Sequence, residues 1–126
     1  EYRAYCDEHG IEIITMETVD DVGAGWVVTS ALNDLAERCS RIYVDVDVDV
    51  LDAAFAPGCP GARPGGMTPR QLAAAARAAG THPAVVAADF VEVDPARDPS
   101  GLTVLNLATT FLSFVSGLAR RKDEGA

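Results

Sequence analysis

Apolar and polar positions along this chain change their period several times, and each change marks an element. Residues 1–9 form a short helical run halted at Gly10, which suits a left-handed cap. Residues 11–16 (IEIITM) are short and rich in β-branched side chains and predict a strand. Thr18 to Asp21 has the character of a helix start. Val28, Leu32, Leu35 and Cys39 then recur at helical spacing, predicting a helix over roughly 23–39. Strict alternation over residues 42–50 predicts a second strand. Residues 53–67 hold three of the seven prolines and four of the eleven glycines, a loop of a length that usually carries function. Thr68-Pro69-Arg70-Gln71 combines an N-cap, Pro at the first helical position and Gln at the third, a capping box for a helix ending at Gly80. Residues 85–93 predict a third strand. Asp98-Pro99 or Thr103 opens a last helix ending in Arg120, Arg121 and Lys122, bases suited to the negative end of its dipole.

Strands separated by helices imply right-handed crossovers and a parallel sheet. Three strands are few for a complete doubly wound sheet, so the expectation is a single partial α/β domain over residues 1–126. With 126 residues, 48% hydrophobic and 23% charged, the chain can bury a core. Its formal net charge of −9, with Lys122 as its one lysine, argues against nucleic-acid and anionic-membrane partners and favours cations. Cys6, Cys39 and Cys59 show no zinc or redox spacing and read as unpaired thiols of a reducing, cytoplasmic setting. The first ten residues, EYRAYCDEHG, lack an apolar stretch, so no secretory leader is expected. The apolar window over residues 102–119 is interrupted by Thr103, Asn106, Thr109, Thr110, Ser113 and Ser116, which predicts a buried helix rather than a membrane span.

The chemistry concentrates in Tyr43-Val44-Asp45-Val46-Asp47-Val48-Asp49-Val50-Leu51-Asp52. On a strand, the four valines face one side and Asp45, Asp47 and Asp49 the other. Carboxylates repel along such a face, and a hard divalent cation is the simplest compensation. A solvated edge strand would carry the same alternation. An EF-hand reading fails because its sixth position lacks Gly. The acids approach the C-terminal end of a parallel strand, where α/β sheets place ligands, and the long loop follows at once. The third strand ends in Asp89-Phe90-Val91-Glu92-Val93-Asp94-Pro95, bringing Glu92 and Asp94 to the same rim.

The run D-V-D-V-L-D-A-A-F-A-P-G, continuing to P-G-G-M-T, resembles the second metal-binding motif of the ureohydrolases, the family of arginase, agmatinase and formimidoylglutamase. The strand that ends in Glu92-Val93-Asp94-Pro95 resembles the segment that follows it in that family. The likeness covers roughly residues 40–120 and implies the C-terminal part of a three-layer α/β/α, arginase-like fold. It implies a binuclear Mn2+ centre in the complete protein, hydrolysis of amidine or guanidine C–N bonds by a metal-activated water, and a homo-oligomer. By motif position Asp47 and Asp49 match metal ligands, and Glu92 matches the acid that holds the substrate cation. Asp45 stands where the family often has Ser, and Asp52 matches a structural acid. Ala56-Pro57-Gly58-Cys59-Pro60 and Glu92-Val93-Asp94-Pro95 most resemble the formimidoylglutamases, which act on formiminoglutamate to release glutamate and formamide; agmatinase- or arginase-type hydrolysis is the alternative. For a glutamate-bearing substrate, Arg63 is the candidate cation, against its reading as an exposed loop residue.

The family's upstream Gly-Gly-x-His and Asp-x-His-x-Asp segments do not occur here, and His9 and His82 read as non-ligands. Two of the six expected ligands are therefore present, and the isolated chain is expected to be inactive. A non-catalytic module retaining half the fold is the competing class. A phosphoacceptor domain would need a Lys at a later strand end, which Lys122 does not supply. No nucleophile elbow or P-loop occurs, and Cys59 has no neighbouring activator in sequence.

Overall fold

The computed structural model describes residues 2–123. Its helices are α1 (Tyr2–Glu8), α2 (Met16–Val22), α3 (Ala24–Ala36), α4 (Pro69–Thr81) and α5 (Leu102–Asp123). Its strands, β1 (Ile42–Asp47) and β2 (Val85–Val91), form a parallel pair. The architecture is α/β with a parallel sheet, joined through the crossover helix α4. One strand expectation and one helix expectation change. Residues 11–15 are irregular and exposed, so their β-branched side chains find no partner strand, and Met16 already opens α2 behind the Thr15 cap. The helix expected over 23–39 is preceded by a separate one, because Gly23 at φ 90° breaks the chain between α2 and α3.

The sheet has one packed face. Val44, Val46, Ala88 and Phe90 point toward α3, α4 and α5, while Tyr43, Asp45 and Ala87 on the other face are exposed. Helix α4 begins at the predicted capping box: the Gln71 N–H donates to Thr68 Oγ1 at 3.3 Å and the Thr68 N–H donates to Gln71 Oε1 at 2.8 Å. Leu72, Ala75, Ala76 and Ala79 repeat at 3.6-residue spacing and are buried, and their small side chains seat the helix close to the strands. Phe90 meets Phe111 and Phe114 of α5 edge-on, with centroids 5.5 and 5.8 Å apart.

Helix α5 corrects one expectation and refines another. It is long and apolar enough to cross a membrane by length and composition, yet Thr103, Thr110, Ser113 and Phe114 pack inward while Leu105, Phe111, Leu112 and Val115 remain exposed. The expectation of a buried helix therefore holds for one face only. Arg121, in the last turn of α5, bonds to other elements. Its Nε donates to Gly80 O at 2.6 Å, Nη1 to Val85 O at 2.9 Å and Nη2 to Ala79 O at 3.3 Å. The guanidinium thus satisfies carbonyls freed where α4 ends and β2 begins. The Lys122 side chain lies outside the described ones.

Candidate metal and substrate site

The acidic run leaves the strand before its alternation is complete. Asp45 and Asp47 lie on β1, but Val48–Val50 turns into one 3-10 unit. The cause is local: Asp47 Oδ1 accepts the Asp49 N–H at 2.9 Å, an aspartate turn that competes with the ladder. Asp49 therefore does not share a strand face with Asp45 and Asp47, as strict alternation predicts. It is folded back beside Asp47 instead. Burial, then the charge of Asp47 and a hydrogen bond to it, push the Asp49 carboxyl above its ordinary value, while Arg63 pulls it down.

The sheet register brings in an acid that the motif reading missed. Asp89 lies directly opposite Asp45. Partial desolvation and then the charge of Asp89 raise the Asp45 carboxyl, and a hydrogen bond to Asp89 raises the Tyr43 phenol. Asp89 Oδ1 is buried without a hydrogen-bond partner. Its sequence signal was only its parity on a strand, because cross-strand register is not written in either strand.

Asp52 anchors the loop. Its carboxylate accepts the Ala54 N–H at 2.9 Å and the Gly65 N–H at 2.7 Å, and these bonds hold it below the usual carboxylate range. Two isolated bridges, Leu51 to Met67 and Asp52 to Arg63, zip the loop's ends together. Arg63 is exposed, and its Nη1 donates to the carbonyls of Pro60, Gly61 and Ala62 at 3.1, 2.9 and 2.9 Å. Asp49 packs against Gly61, where a Cβ would fall 2.7 Å from Asp49 Oδ2.

Glu92 follows β2 directly. Because Val91 pairs with Asp47, Glu92 emerges at the same sheet end as Asp47 and Asp49. It is exposed and has φ 64°, an unfavourable backbone region for a side chain with a Cβ. Asp94 caps the next turn through the Ala96 N–H at 3.0 Å and pairs with Arg97 at 3.3 Å, so it serves the backbone rather than the rim. The histidines lie elsewhere. His9 stacks on Tyr5, and His82 precedes β2 at the opposite end of the sheet. Cys6, Cys39 and Cys59 are free thiols, the last buried. A cavity of about 280 Å³ lies beside β1, lined by Val28, Val46, Leu72 and Ala76 among others, with Asp45 and Asp47 in its wall.

Among the described residues, no group of three or more His, Cys, Asp or Glu is placed to hold a metal ion. Asp47 and Asp49 nevertheless fit part of a hard-cation site. Two carboxylates turned together, one with its proton affinity raised by the other, make an oxygen-donor pair short of positive charge. Hard cations take about six donors, so the pair is a fraction of a site.

A family model described as the arginase family matches residues 1–116 of this chain. A formimidoylglutamase of Halalkalibacterium halodurans is 38% identical over 116 residues, which are 92% of this chain and 36% of that protein. The solved formimidoylglutamase of Bacillus subtilis superposes with a TM-score of 0.86 at 32% identity, covering 93% of this chain and 36% of that one. The Bacillus caldovelox arginase superposes at 0.81 with 30% identity, covering 90% of this chain and 38% of that one. The chain thus spans a little over a third of the length of the relatives it matches, and its fold is a portion of theirs.

Proposed function

Since this chain belongs to the arginase family, we propose that it carries part of the active site of a Mn2+-dependent hydrolase of linear amidine or guanidine C–N bonds, with formiminoglutamate as the substrate. The observation that carries this reading is the Asp47–Asp49 carboxylate pair at the sheet end from which Glu92 also emerges. Asp47 and Asp49 would hold the metal as two of its oxygen donors. Bound Mn2+ supplies Lewis-acid activation of water. Glu92 accepts N–H groups of the amidinium by charge-assisted hydrogen bonds and fixes its orientation. Arg63, exposed at the loop and electrostatically coupled to Asp49, is the cation for a substrate carboxylate. The identity to formimidoylglutamases supports the choice of substrate. The three free thiols suit a reducing, cytoplasmic setting.

Calorimetric titration of the 126-residue chain with Mn2+ tests the reading. Two carboxylates predict binding in about the millimolar range, lost in Asp47→Asn and Asp49→Asn. Micromolar binding of two ions would mean that further donors are supplied and that the chain is not a part-site. Millimolar binding unchanged in both variants would remove Asp47 and Asp49 from the metal site.

A further inference from the structure

The buried polar groups at the start of α5 have no part in the chemistry above. Thr103, in the first turn of α5, is fully buried, and Asp98, four residues before the helix, is 7% exposed. Leaving such groups inside is costly unless each makes bonds. The Thr103 bond reaches far along the chain: Thr103 Oγ1 accepts the Gly58 N–H at 2.7 Å, in a buried contact. The other side of the same residue is held too, because Gly58 O accepts the Asp94 N–H at 2.9 Å. One residue along the loop's middle is thus clamped between α5 and the segment two residues past Glu92. The contact is close enough that a Cβ on Gly58 would fall 2.5 Å from Asp98 Cβ and 3.1 Å from Asp94 O. Asp98 fastens the same helix end, accepting the Val104 N–H at 2.9 Å. A third bond, Asn106 Nδ2 to Phe55 O at 2.9 Å, ties the loop's first turn to the next turn of α5.

The loop is therefore held at its ends through Asp52, packed at Gly61 against Asp49, and tied at Gly58 to the Glu92 segment. Backbone hydrogen bonds carry this second link, and the Thr103 hydroxyl is the side chain that fixes Gly58 for it. We infer that Thr103, with Asn106 beside it, is a positioning residue that sets the distance between the Asp47–Asp49 pair and Glu92. The inference rests on the proposed function for its purpose, but its geometry stands on these bonds alone.

The test uses isotope-labelled chain with Thr103→Val, Thr103→Ser and Asn106→Ala. Valine keeps the shape of threonine and leaves the Gly58 N–H buried without an acceptor. Amide hydrogen exchange at Gly58 and Asp94 is expected to accelerate about 10- to 100-fold in Thr103→Val, corresponding to a lost buried bond of about 1–3 kcal/mol. Exchange at Val46 and Phe90 in the sheet should change far less. Thr103→Ser restores the slow exchange, and Asn106→Ala accelerates exchange over residues 55–58. Substoichiometric Mn2+ then reads the distance, because it broadens nearby amides: the ratio of Glu92 to Asp49 broadening falls in Thr103→Val and recovers in Thr103→Ser. Uniform acceleration across the chain, serine behaving like valine, or an unchanged broadening ratio would overturn the inference. Absence of broadening at Asp47 and Asp49 in the unsubstituted chain would count against the metal reading and also against a positioning purpose, while the exchange pattern would still report whether Thr103 holds the loop.

Discussion

Two adjacent glycines close the loop behind the acids, and substituting each by alanine should have different costs for different reasons. Gly65 has φ 89° with nothing within 4 Å of an added Cβ. Its cost is conformational, roughly 1–2 kcal/mol for an L-residue held in a left-handed region. Gly66 has no such φ, but a Cβ there would fall 2.5 Å from Asp52 N, 2.6 Å from Leu51 C and 2.6 Å from Val50 O. These are backbone atoms that no rotamer change can move. Relief requires a shift of about 1 Å in a segment held by the Asp52 N–H to Met67 O bond at 2.9 Å and the Met67 N–H to Val50 O bond at 2.8 Å. Such a shift takes both bonds beyond useful length, at about 1 kcal/mol each, and adds overpacking of about 1–3 kcal/mol. Gly66→Ala should thus cost about 3–5 kcal/mol, a large share of the roughly 5–15 kcal/mol that holds a domain together. Urea unfolding followed by circular dichroism reads both variants. At a slope of about 2 kcal/mol/M, Gly65→Ala should move the midpoint by about 0.5–1 M and Gly66→Ala by about 1.5–2.5 M, each at unchanged slope. A Gly65→Ala loss equal to or larger than that of Gly66→Ala would refute the argument, because it would mean that backbone conformation rather than contact governs the loop's closure.

Other consequences follow from single residues. Glu92→Gly releases an unfavourable φ, so thermal unfolding should show it neutral or more stable by up to about 1 kcal/mol, whereas Glu92→Ala keeps the strain and gains nothing. Burial, then Arg121, lowers the His82 pKa; its Nδ1 accepts the Ala84 N–H at 3.3 Å, which a protonated ring cannot do. A depressed folded-state pKa contributes stability above the unfolded value of about 6.5 and loses it as pH falls. The difference in melting temperature between the wild-type chain and His82→Gln should therefore shrink between about pH 7 and pH 5, and a constant difference would exclude His82 as the source. Arg121→Met removes the guanidinium donor from Gly80 O and Val85 O, leaves Ala79 O with the His82 N–H alone, and should destabilise by about 1–3 kcal/mol, with Arg121→Lys recovering only part in the same urea experiment.

Much of the site was legible in the chain itself because its causes are local. The capping box opens α4 where Thr68 and Gln71 stand three apart, and the proline- and glycine-rich run makes the loop, since both depend on neighbours in sequence. The Asp47 and Asp49 spacing, the position of Glu92 at a strand end and the membership in a hydrolase family follow from motif residues in the same way. Tertiary structure decided the rest. Alternation over residues 42–50 could not reveal that Asp47 would cap the Asp49 N–H and end the strand there, because ladder and aspartate turn compete for the same amide and packing selects between them. The pairing of Asp45 with Asp89 needed the register, the use of Arg121 by a different helix needed the α4–α5 contact, and the clamp of Thr103 on Gly58 joins residues 45 apart. A buried threonine in an apolar helix reads locally as an interruption. It becomes a hydrogen-bond acceptor for the loop only when folding brings the loop's amide to it and removes the water that would otherwise satisfy both.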